Sequence, residues 1–497
     1  MLSRRMFLDR IAATLLVPAG CAEAPPAKWQ GQSGEWVNDI HSRLNRTRVR
    51  AVHRPRVLAD LQEVVSGARD GESVCIAGGR HAMGGQQFAA DGLLLDMRSM
   101  NRVLRFDRDA GLIEVEAGIE WPELLDNLLE AQRGRWPQWG FAQKQTGADR
   151  LSLGGALSAN VHGRGLKLKP FISDVESFVL VDAEGRSRVC SRQENAELFG
   201  LAIGGYGLFG VIASVTLRLT RRRKIERVVE IISAEGLAEA FEQRIAAGFL
   251  YGDFQFSTDR DSDGFLNQGV FSCYRPVDDE TPIPDDQRAL SAEQWTRLIT
   301  LAHADRKRAY EVYATYYRTT SGQIYWSDSH QMSLYIDDYH STVDRRLGSA
   351  QPASEMIAEI YVPRPSLARF LDRVKRDFRA HDVALVYGTI RLIEEDDESF
   401  LAWARQPYAC IIFNLHAVHT PEGLAKAAAD FRRLIGRAIE FGGSYYLTYH
   451  RWATRQQVET CYPQLARFLD LKRRYDPAER FQSDWYRHYR AMFAEAL

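Results

Sequence analysis

Three clusters of glycine and other small residues, each next to an apolar strand-like run, constrain this chain more than any other feature. They cover residues 78–85, 151–163 and 205–210. Because glycine has no Cβ, successive backbone N–H groups in such loops can face one concavity and bind a diphosphate. The first cluster lies between two predicted strands, near residues 73–77 and 92–97. The amino-terminal half is therefore predicted to hold a phosphate-bearing, flat cofactor.

The first two clusters can also be explained without a cofactor. The first cluster is also compatible with an ordinary tight loop, and the second with a tightly packed core helix. A core helix explains the glycines and alanines of residues 151–163. It does not explain the hydroxyl, amide and imidazole groups of Ser152, Asn160 and His162.

The third cluster matches the G-x-G-x-x-G spacing of dinucleotide-binding βαβ units. That fingerprint requires a helix directly after the glycines. Residues 211–217 instead continue with β-branched side chains at strand period. We therefore predict a strand here and reject a Rossmann site.

Length and composition indicate a globular protein of two or three domains. The chain has 497 residues, 45% of them hydrophobic, with 64 Lys plus Arg against 65 Asp plus Glu. A net charge near zero gives no general attraction to nucleic acid or to an anionic membrane. Alternating helix-like and strand-like patterns predict an α+β fold. The predicted divisions are residues 40–222, 223–440 and 441–497. The basic run 220–224 is interpreted as a solvated linker, with a patch that binds polyanions as the alternative.

The first 24 residues have the pattern of an export signal. Arg4 and Arg5 precede a short apolar run at residues 11–17, which is too short to cross a hydrocarbon core of about 30 Å. The arginine pair resembles a twin-arginine signal; a general secretory signal or a merely basic terminus stays open. Residues before Cys21 resemble a lipobox, with simple cleavage as the alternative. The expectation is an exported protein, periplasmic or lipid-anchored, that meets a membrane only through such an anchor.

The cysteines predict neither a metal site nor a disulfide framework. The six cysteines show no C-x-x-C or Cys/His ligand spacing. They are expected to be small buried hydrophobic residues.

Taken in order, the three clusters resemble the FAD-binding domain of the vanillyl-alcohol oxidase and p-cresol methylhydroxylase (PCMH) superfamily, over residues 52–219. The resemblance implies FAD as cofactor. His81 falls where covalent members have the histidine that bonds the flavin, so attachment is either covalent through His81 or non-covalent. The residues that the resemblance assigns to FAD are Ala77, Gly78, Gly79, Arg80, His81, Ala82, Met83, Gly147, Ser152, Gly154, Gly155, Ser158, Asn160, His162, Gly163, Gly210 and Ile212.

The carboxy-terminal half resembles two branches of the same superfamily. Residues 359–363 and 481–484 are similar to the decaprenylphosphoryl-ribose oxidase branch, and residues 389–391 and 450–452 to the aldonolactone and alditol oxidases. Both branches oxidise a hydroxyl group of a sugar-derived molecule. The resemblance implies hydride transfer to flavin N5 from a sugar, polyol, aldonolactone or lipid-linked glycosyl substrate. Oxygen or a redox carrier would then reoxidise the flavin.

The catalytic candidates are residues at positions that match the functional residues of the two branches, including positions where this chain has a different residue type. Tyr449 stands where the lipid-linked branch has lysine, and Thr389 where the alditol branch has glutamate. Arg391 is expected to stabilise negative charge, with a structural ion pair to the acidic run 394–398 as the alternative. His450 is preferred over Tyr449 as proton acceptor because histidine titrates near neutral pH.

The substrate pocket is assigned to Tyr446, Glu359 and Tyr335. Two other functions stay open. One is a cell-envelope binding protein that kept the fold and lost catalysis. The other is a flavin-dependent reductase of a C=C bond.

Overall fold

The computed structural model describes residues 34–333, 336 and 338–496. The predicted export signal, Cys21 and Tyr335 lie outside the described residues.

The amino-terminal part contains two main sheets, with short helices between their strands. Its elements in chain order are β1 Glu35–Val37, β2 Thr47–Val49, β3 Ala51–His53, α1 Leu58–Gly67, β4 Val74–Ala77, β5 Leu93–Asp96, β6 Val103–Asp107, β7 Leu112–Glu116, α2 Trp121–Ala131, β8 Trp139–Gly140, α3 Leu153–Ala159, β9 Val175–Val181, β10 Ser187–Ser191, α4 Ala196–Ala202, β11 Val211–Arg218 and β12 Thr220–Arg221. Parallel strands form a three-stranded sheet in the order β3-β5-β4. Antiparallel strands form a five-stranded sheet in the order β10-β9-β11-β7-β6.

The chain after residue 223 is built around one eight-stranded antiparallel sheet. Its elements are β13 Lys224–Ser233, α5 Leu237–Ala246, β14 Tyr251–Phe256, β15 Gln268–Pro276, α6 Ala292–Ala304, α7 Arg306–Arg318, β16 Ile324–Trp326, α8 Tyr339–Leu347, β17 Ala353–Pro363, α9 Leu367–Ala380, β18 Leu385–Ile393, β19 Tyr408–Val418, α10 Pro421–Glu440, β20 Ser444–Tyr445, α11 Arg455–Cys461, α12 Leu465–Tyr475 and α13 Asp484–Met492. The strand order is β16-β13-β15-β14-β18-β19-β17-β20. The mixed helix and sheet content confirms the α+β prediction.

The two faces of this sheet differ because side chains alternate along a strand. On β17, Met356, Ala358 and Ile360 are fully buried, on the face where α9 and α10 pack. The amphipathic face of α9 supplies apolar side chains at helical spacing. The intervening residues Glu355 and Glu359 face a cavity on the other side. Helices α6, α7 and α8 contact that side of the sheet.

The carboxy-terminal segment returns to the amino-terminal part. β20 pairs with β17, and Phe481 then bridges Val74 of β4 in parallel orientation. The backbone N–H of Val74 donates to Arg480 O at 2.7 Å, and Gln482 N–H donates to Val74 O at 3.0 Å. The last residues therefore brace the strand that leads into the first glycine cluster.

The interpretation of residues 220–224 as a solvated linker is only partly right: Thr220, Arg221 and Arg223 are exposed, but the segment is built into strands and Arg222 is buried. β12 pairs with β8, and Lys224 already begins β13. Arg222 is buried and donates to Asp328 at 2.8 Å. One residue of this basic run, Arg222, therefore connects the two parts of the chain through a buried ion pair with Asp328.

The described cysteines and helices relate to the predictions of buried cysteines and of a membrane contact limited to a lipid anchor. Cys75, Cys190, Cys273, Cys410 and Cys461 are free and buried. Among the helices that the structure describes, none is both long and apolar enough to span a bilayer.

Candidate active site

A cavity of about 800 Å³ lies between the glycine-rich segments and the face of the eight-stranded sheet that is opposite α9 and α10. The sheet contributes alternate residues, including Gln255 of β14, Thr389 of β18 and Glu359 of β17. Pairing of Thr389 with Ile412 and of Glu359 with Ile412 places these side chains in one row across β18, β19 and β17. The cavity size is in the range of cofactor and ligand sites.

The first two glycine clusters are packed tightly against each other. A Cβ on Gly78 would lie 1.8 Å from Ser152 Oγ, and one on Gly79 would lie 2.1 Å from Arg150 O. Only glycine therefore allows the loop after β4 to lie against the segment that begins α3. This contact forms a continuous wall of backbone along the cavity.

Most residues assigned to the cofactor line this cavity. They are Ala77, Gly78, Gly79, Arg80, His81, Ala82, Met83, Gly147, Ser152, Gly154, Gly155, Ser158, His162, Gly210 and Ile212. Arg80 also has a buried Nε without a hydrogen-bond partner. The donors, small residues and size of this wall fit FAD, with the segments of residues 77–83 and 147–163 as the parts that would hold it.

Asn160 and Gly163 do not line the cavity. Asn160 is fully buried and donates to Asp396 Oδ2 at 2.8 Å, while its Oδ1 accepts from Ile172 N–H at 2.9 Å. A Cβ on Gly163 would lie 2.8 Å from Lys144 O. Both residues therefore lie on the side of the cofactor segment that faces away from the cavity, where they pack against other parts of the chain.

His162 and Glu359 form a buried pair at the centre of the cavity wall. His162 Nε2 lies 2.5 Å from Glu359 Oε1, and His162 Nδ1 lies 3.1 Å from Gly163 O. A carbonyl oxygen only accepts, so Nδ1–H donates to Gly163 O, and the short Nε2–Oε1 contact is a hydrogen bond between the two side chains. Burial raises the pKa of Glu359, but the interactions with His162, together with the charge of Arg391 and the hydrogen bond from Tyr361, leave that pKa below its ordinary value.

Two tyrosines complete the surroundings of Glu359. Tyr361 donates to Glu359 Oε1 at 3.0 Å, and Tyr449 donates to Glu359 Oε2 at 3.2 Å. Burial, with the charge of Glu359, raises the pKa of Tyr449 well above its ordinary value. Tyr449 is therefore a hydrogen-bond donor at neutral pH. Tyr446, which also lines the cavity, donates to Ala159 O.

Arg391 lines the same cavity, and its buried Nε has no hydrogen-bond partner. The acidic run that was its alternative partner is occupied elsewhere. Glu394 pairs with Arg364 at 2.8 Å. Residues 396–398 contact, in turn, Asn160, Lys169 and Arg192. Among the residues described, no carboxylate forms a direct ion pair with Arg391, and its charge acts across the cavity on Glu359, whose pKa it helps to lower.

The structure does not place His450 in this cavity. Its ring is stacked on Trp452, with ring centroids 4.4 Å apart, and faces a separate pocket of about 310 Å³. Burial lowers the pKa of His450 to about 4. The tertiary fold thus turns His450 away from the cavity that Tyr449, its neighbour in sequence, lines. The preference for His450 as proton acceptor is corrected accordingly.

His81 lines the cavity next to a second histidine that the sequence did not indicate. His81 Nδ1 lies 2.8 Å from His41 Nε2. Burial, followed by the nearby His41, lowers the pKa of His81 well below its ordinary value. A neutral imidazole is therefore held in one orientation at the rim of the first glycine cluster.

Ligand-type atoms of His162, Glu359 and Cys410 lie within 4.8 Å of one another. His162 and Glu359 already bond to each other directly. Burial raises the pKa of Cys410 well above its ordinary value, which keeps it a thiol. The geometry is that of a hydrogen-bonded pair with a neighbouring thiol.

Sequence patterns missed several polar residues of the cavity, namely His41, Arg164, Arg227, Asp253 and Glu355. They lie on separate strands or loops and have no common spacing. Period-two alternation of polar residues on β14 and β17 was the available signal.

The fold and this site define an FAD-dependent oxidoreductase with a PCMH-type FAD-binding domain. A family model described as an FAD binding domain matches residues 49–191. The cavity is lined by the glycine clusters within and just after that range. The recognition of FAD from the glycine clusters is confirmed.

The chain is similar in sequence to several oxidoreductases. The chain is 32% identical over 246 residues to "Uncharacterized oxidoreductase ORF5 in fasciation locus" of Rhodococcoides fascians, covering 48% of this chain and 53% of that protein. It is 24% identical over 464 residues to L-gulono-1,4-lactone dehydrogenase of Mycobacterium tuberculosis, covering 88% and 95%. It is 30% identical over 168 residues to L-gulonolactone oxidase of Mus musculus, covering 33% and 36%.

Proposed function

We propose that the protein oxidises a carbinol of a sugar-derived substrate of the aldonolactone type. The observation that carries this proposal is the buried His162–Glu359 pair in the cavity wall formed with the FAD segments. Similarity over most of the chain to L-gulono-1,4-lactone dehydrogenase supports the substrate class. Bound FAD supplies the hydride acceptor for such an oxidation.

The proposed proton acceptor is Glu359. Its lowered pKa keeps it ionised at neutral pH, and it lines the cavity. A hydroxyl proton becomes more acidic as its carbon loses a hydride, so a positioned carboxylate can take it. Tyr449 and Tyr361 hold the carboxylate in place through their hydroxyl groups.

Arg391 is proposed to stabilise the developing alkoxide. It is buried, always charged and without a carboxylate partner among the described residues. A fixed cation in a water-poor site stabilises developing negative charge more than it does in water. This division of roles fits an oxidation better than the loss of catalysis or the reduction of a C=C bond.

The test is single-turnover, anaerobic reduction of the bound flavin by L-gulono-1,4-lactone and related lactones. Glu359→Gln keeps the size of the side chain and removes its charge, so we expect reduction to slow by roughly 10²–10⁴-fold with FAD still bound. His450→Gln is the matched control, because His450 faces the other pocket, and it should stay within about twofold of the wild type. Equal rates for Glu359→Gln and wild type would remove Glu359 from the mechanism.

We also propose that FAD is bonded covalently through His81. The supporting observation is that His81 lines the cavity with its ring held by His41. Acid precipitation of the purified holoprotein should leave the yellow colour in the precipitate, and His81→Ala should move it to the supernatant. A yellow supernatant from the wild type would place this protein among the non-covalent flavoproteins.

A further inference from the structure

Two arginines of the cavity share one phenol oxygen. Arg227 of β13 donates to Tyr274 Oη from Nε at 3.0 Å and from Nη2 at 2.8 Å. Arg164, which follows the second glycine cluster, reaches the same oxygen from Nη1 at 3.4 Å. Both arginines line the cavity. Like charges are thus brought together at one point of the wall.

The guanidinium of Arg227 is enclosed by aromatic rings. Its Cζ lies 5.2 Å from the ring centroid of Tyr274, 5.4 Å from that of Tyr317 and 4.8 Å from that of Tyr325. Neutral phenols orient a cation but do not balance its charge. The bonds to Tyr274 and Thr320 use three of the five N–H groups of Arg227, so two stay available.

Among the described residues, carboxylates balance only one of these two positive charges. Asp253 lies 3.5 Å from Arg164, and no ion pair reaches Arg227. The buried Nε of Arg164 has no hydrogen-bond partner. A partly desolvated cation without an anion is costly, and a bound anion removes that cost.

This cluster adjoins the proposed reaction site. Pairing of Phe254 with Ile390 places Asp253 of β14 beside Arg391 of β18. Both residues line the cavity. One molecule can therefore contact the arginine cluster and the carboxylate of Glu359 within the same cavity.

We infer that Arg164 and Arg227, oriented by the buried Tyr274 behind them, form a subsite for an anionic group, a carboxylate or a phosphate, on the substrate. This inference rests on the proposed function and deepens it. The preferred substrate is a sugar derivative that carries a negative charge away from the hydroxyl group that is oxidised. Planar guanidinium groups suit carboxylate and phosphate oxygens.

The test compares three probes on the FAD-loaded protein: neutral L-gulono-1,4-lactone, its open-chain carboxylate L-gulonate, and glucose 6-phosphate. Binding is followed by the change in flavin absorbance and by quenching of protein fluorescence, and turnover by anaerobic flavin reduction. We expect at least one anionic probe to half-saturate the protein at a concentration roughly tenfold or more below that of the lactone. If L-gulonate binds more tightly than the other probes, the subsite prefers a carboxylate. If glucose 6-phosphate binds more tightly, the subsite prefers a phosphate.

Variants assign the effect to the cluster. Arg227→Gln should weaken binding of the anionic probe by roughly 10- to 100-fold and leave the lactone within about twofold. Arg244→Gln is the matched control, because Arg244 also lies over aromatic rings, those of Phe249 and Phe271, yet does not line the cavity. Tyr274→Phe removes the shared oxygen and should weaken the same probe if Arg227→Gln does not fold.

The outcomes separate this inference from the proposed function. Reduction by the lactone without preferential binding of either anion overturns the subsite and leaves the proposed function standing. Preferential anion binding without reduction by any probe supports the subsite and contradicts the proposed function. Loss of FAD from Arg227→Gln would assign the arginines to the cofactor and overturn the inference.

Discussion

At the scale of single residues, the direct contact of His162 with Glu359 determines the charge state of the site. The carbonyl of Gly163 fixes a proton on His162 Nδ1, so the imidazole faces Glu359 with its other nitrogen. The carboxylate gains a charge-assisted hydrogen bond that lowers its pKa. Glu359 therefore stays ionised, and able to accept a proton, in mildly acidic solution.

The first residue-scale prediction concerns His162→Gln. Glutamine can donate a hydrogen bond but carries no charge, so the pKa of Glu359 should rise. The acid limb of the pH profile for flavin reduction should therefore move to higher pH. Stopped-flow reduction between pH 4.5 and 8 tests this expectation. The wild type and the His450→Gln control should show no limb from Glu359 in that range, because its pKa lies below 4.5, whereas His162→Gln should show one. An acid limb at the wild-type position would contradict the assignment of the limb to Glu359.

At the scale of elements, α12 is tied to the carboxy-terminal return by a buried ion pair. Lys472 and Asp476 are 0% and 1% exposed, and they are in direct contact. Asp476 also accepts from the backbone N–H groups of Arg480 and Phe481, both at 2.8 Å. Phe481 bridges β4, so this ion pair helps to position the strand before the first glycine cluster.

We expect Asp476→Asn to destabilise the fold by about 3–5 kcal/mol, because it leaves the buried Lys472 without its counter-charge. Asp470→Asn, on the same helix, removes an exposed ion pair with Arg467 and should cost less than about 1 kcal/mol. Denaturant unfolding of the holoprotein measures both changes. Similar losses in the two variants would contradict the structural role of Asp476.

At the scale of the whole molecule, buried histidines make stability sensitive to acid. Burial lowers the pKa of His340 and of His450 to about 4. Between the ordinary value of about 6.5 and pH 4, the unfolded chain binds protons that the folded chain does not. Stability is therefore complete above pH 6.5 and falls as the pH decreases.

The predicted loss at pH 4 is on the order of 3 kcal/mol for each of these histidines. The pKa of Glu355, which burial raises but the hydrogen bond from His303 lowers to about 2, adds a further loss between pH 4.5 and 2. Thermal unfolding from pH 8 to 4 measures the first window. His450→Gln should make that slope shallower, and an unchanged slope would show that His450 does not contribute.

The sequence alone determined the class of this protein, because its evidence is local. Glycines at residues 78–85 and β-branched residues at 211–217 specify a loop and a strand through backbone sterics and short-range periodicity. These local patterns indicated the α+β fold, and the family resemblance that they carry implied FAD. Most of the residues that the resemblance assigned to FAD line the cavity. The strand after the third cluster, β11, also formed as predicted.

Only the tertiary structure decided which polar side chains meet. His162 and Glu359 are 197 positions apart, and Arg164 and Tyr274 are 110 apart, so no spacing in the sequence relates them. The fold turned Tyr449 into the cavity and its neighbour His450 out of it. It also buried Arg222 in an ion pair. Chemistry at this site depends on strand register and sheet packing, which long-range contacts fix and local sequence does not.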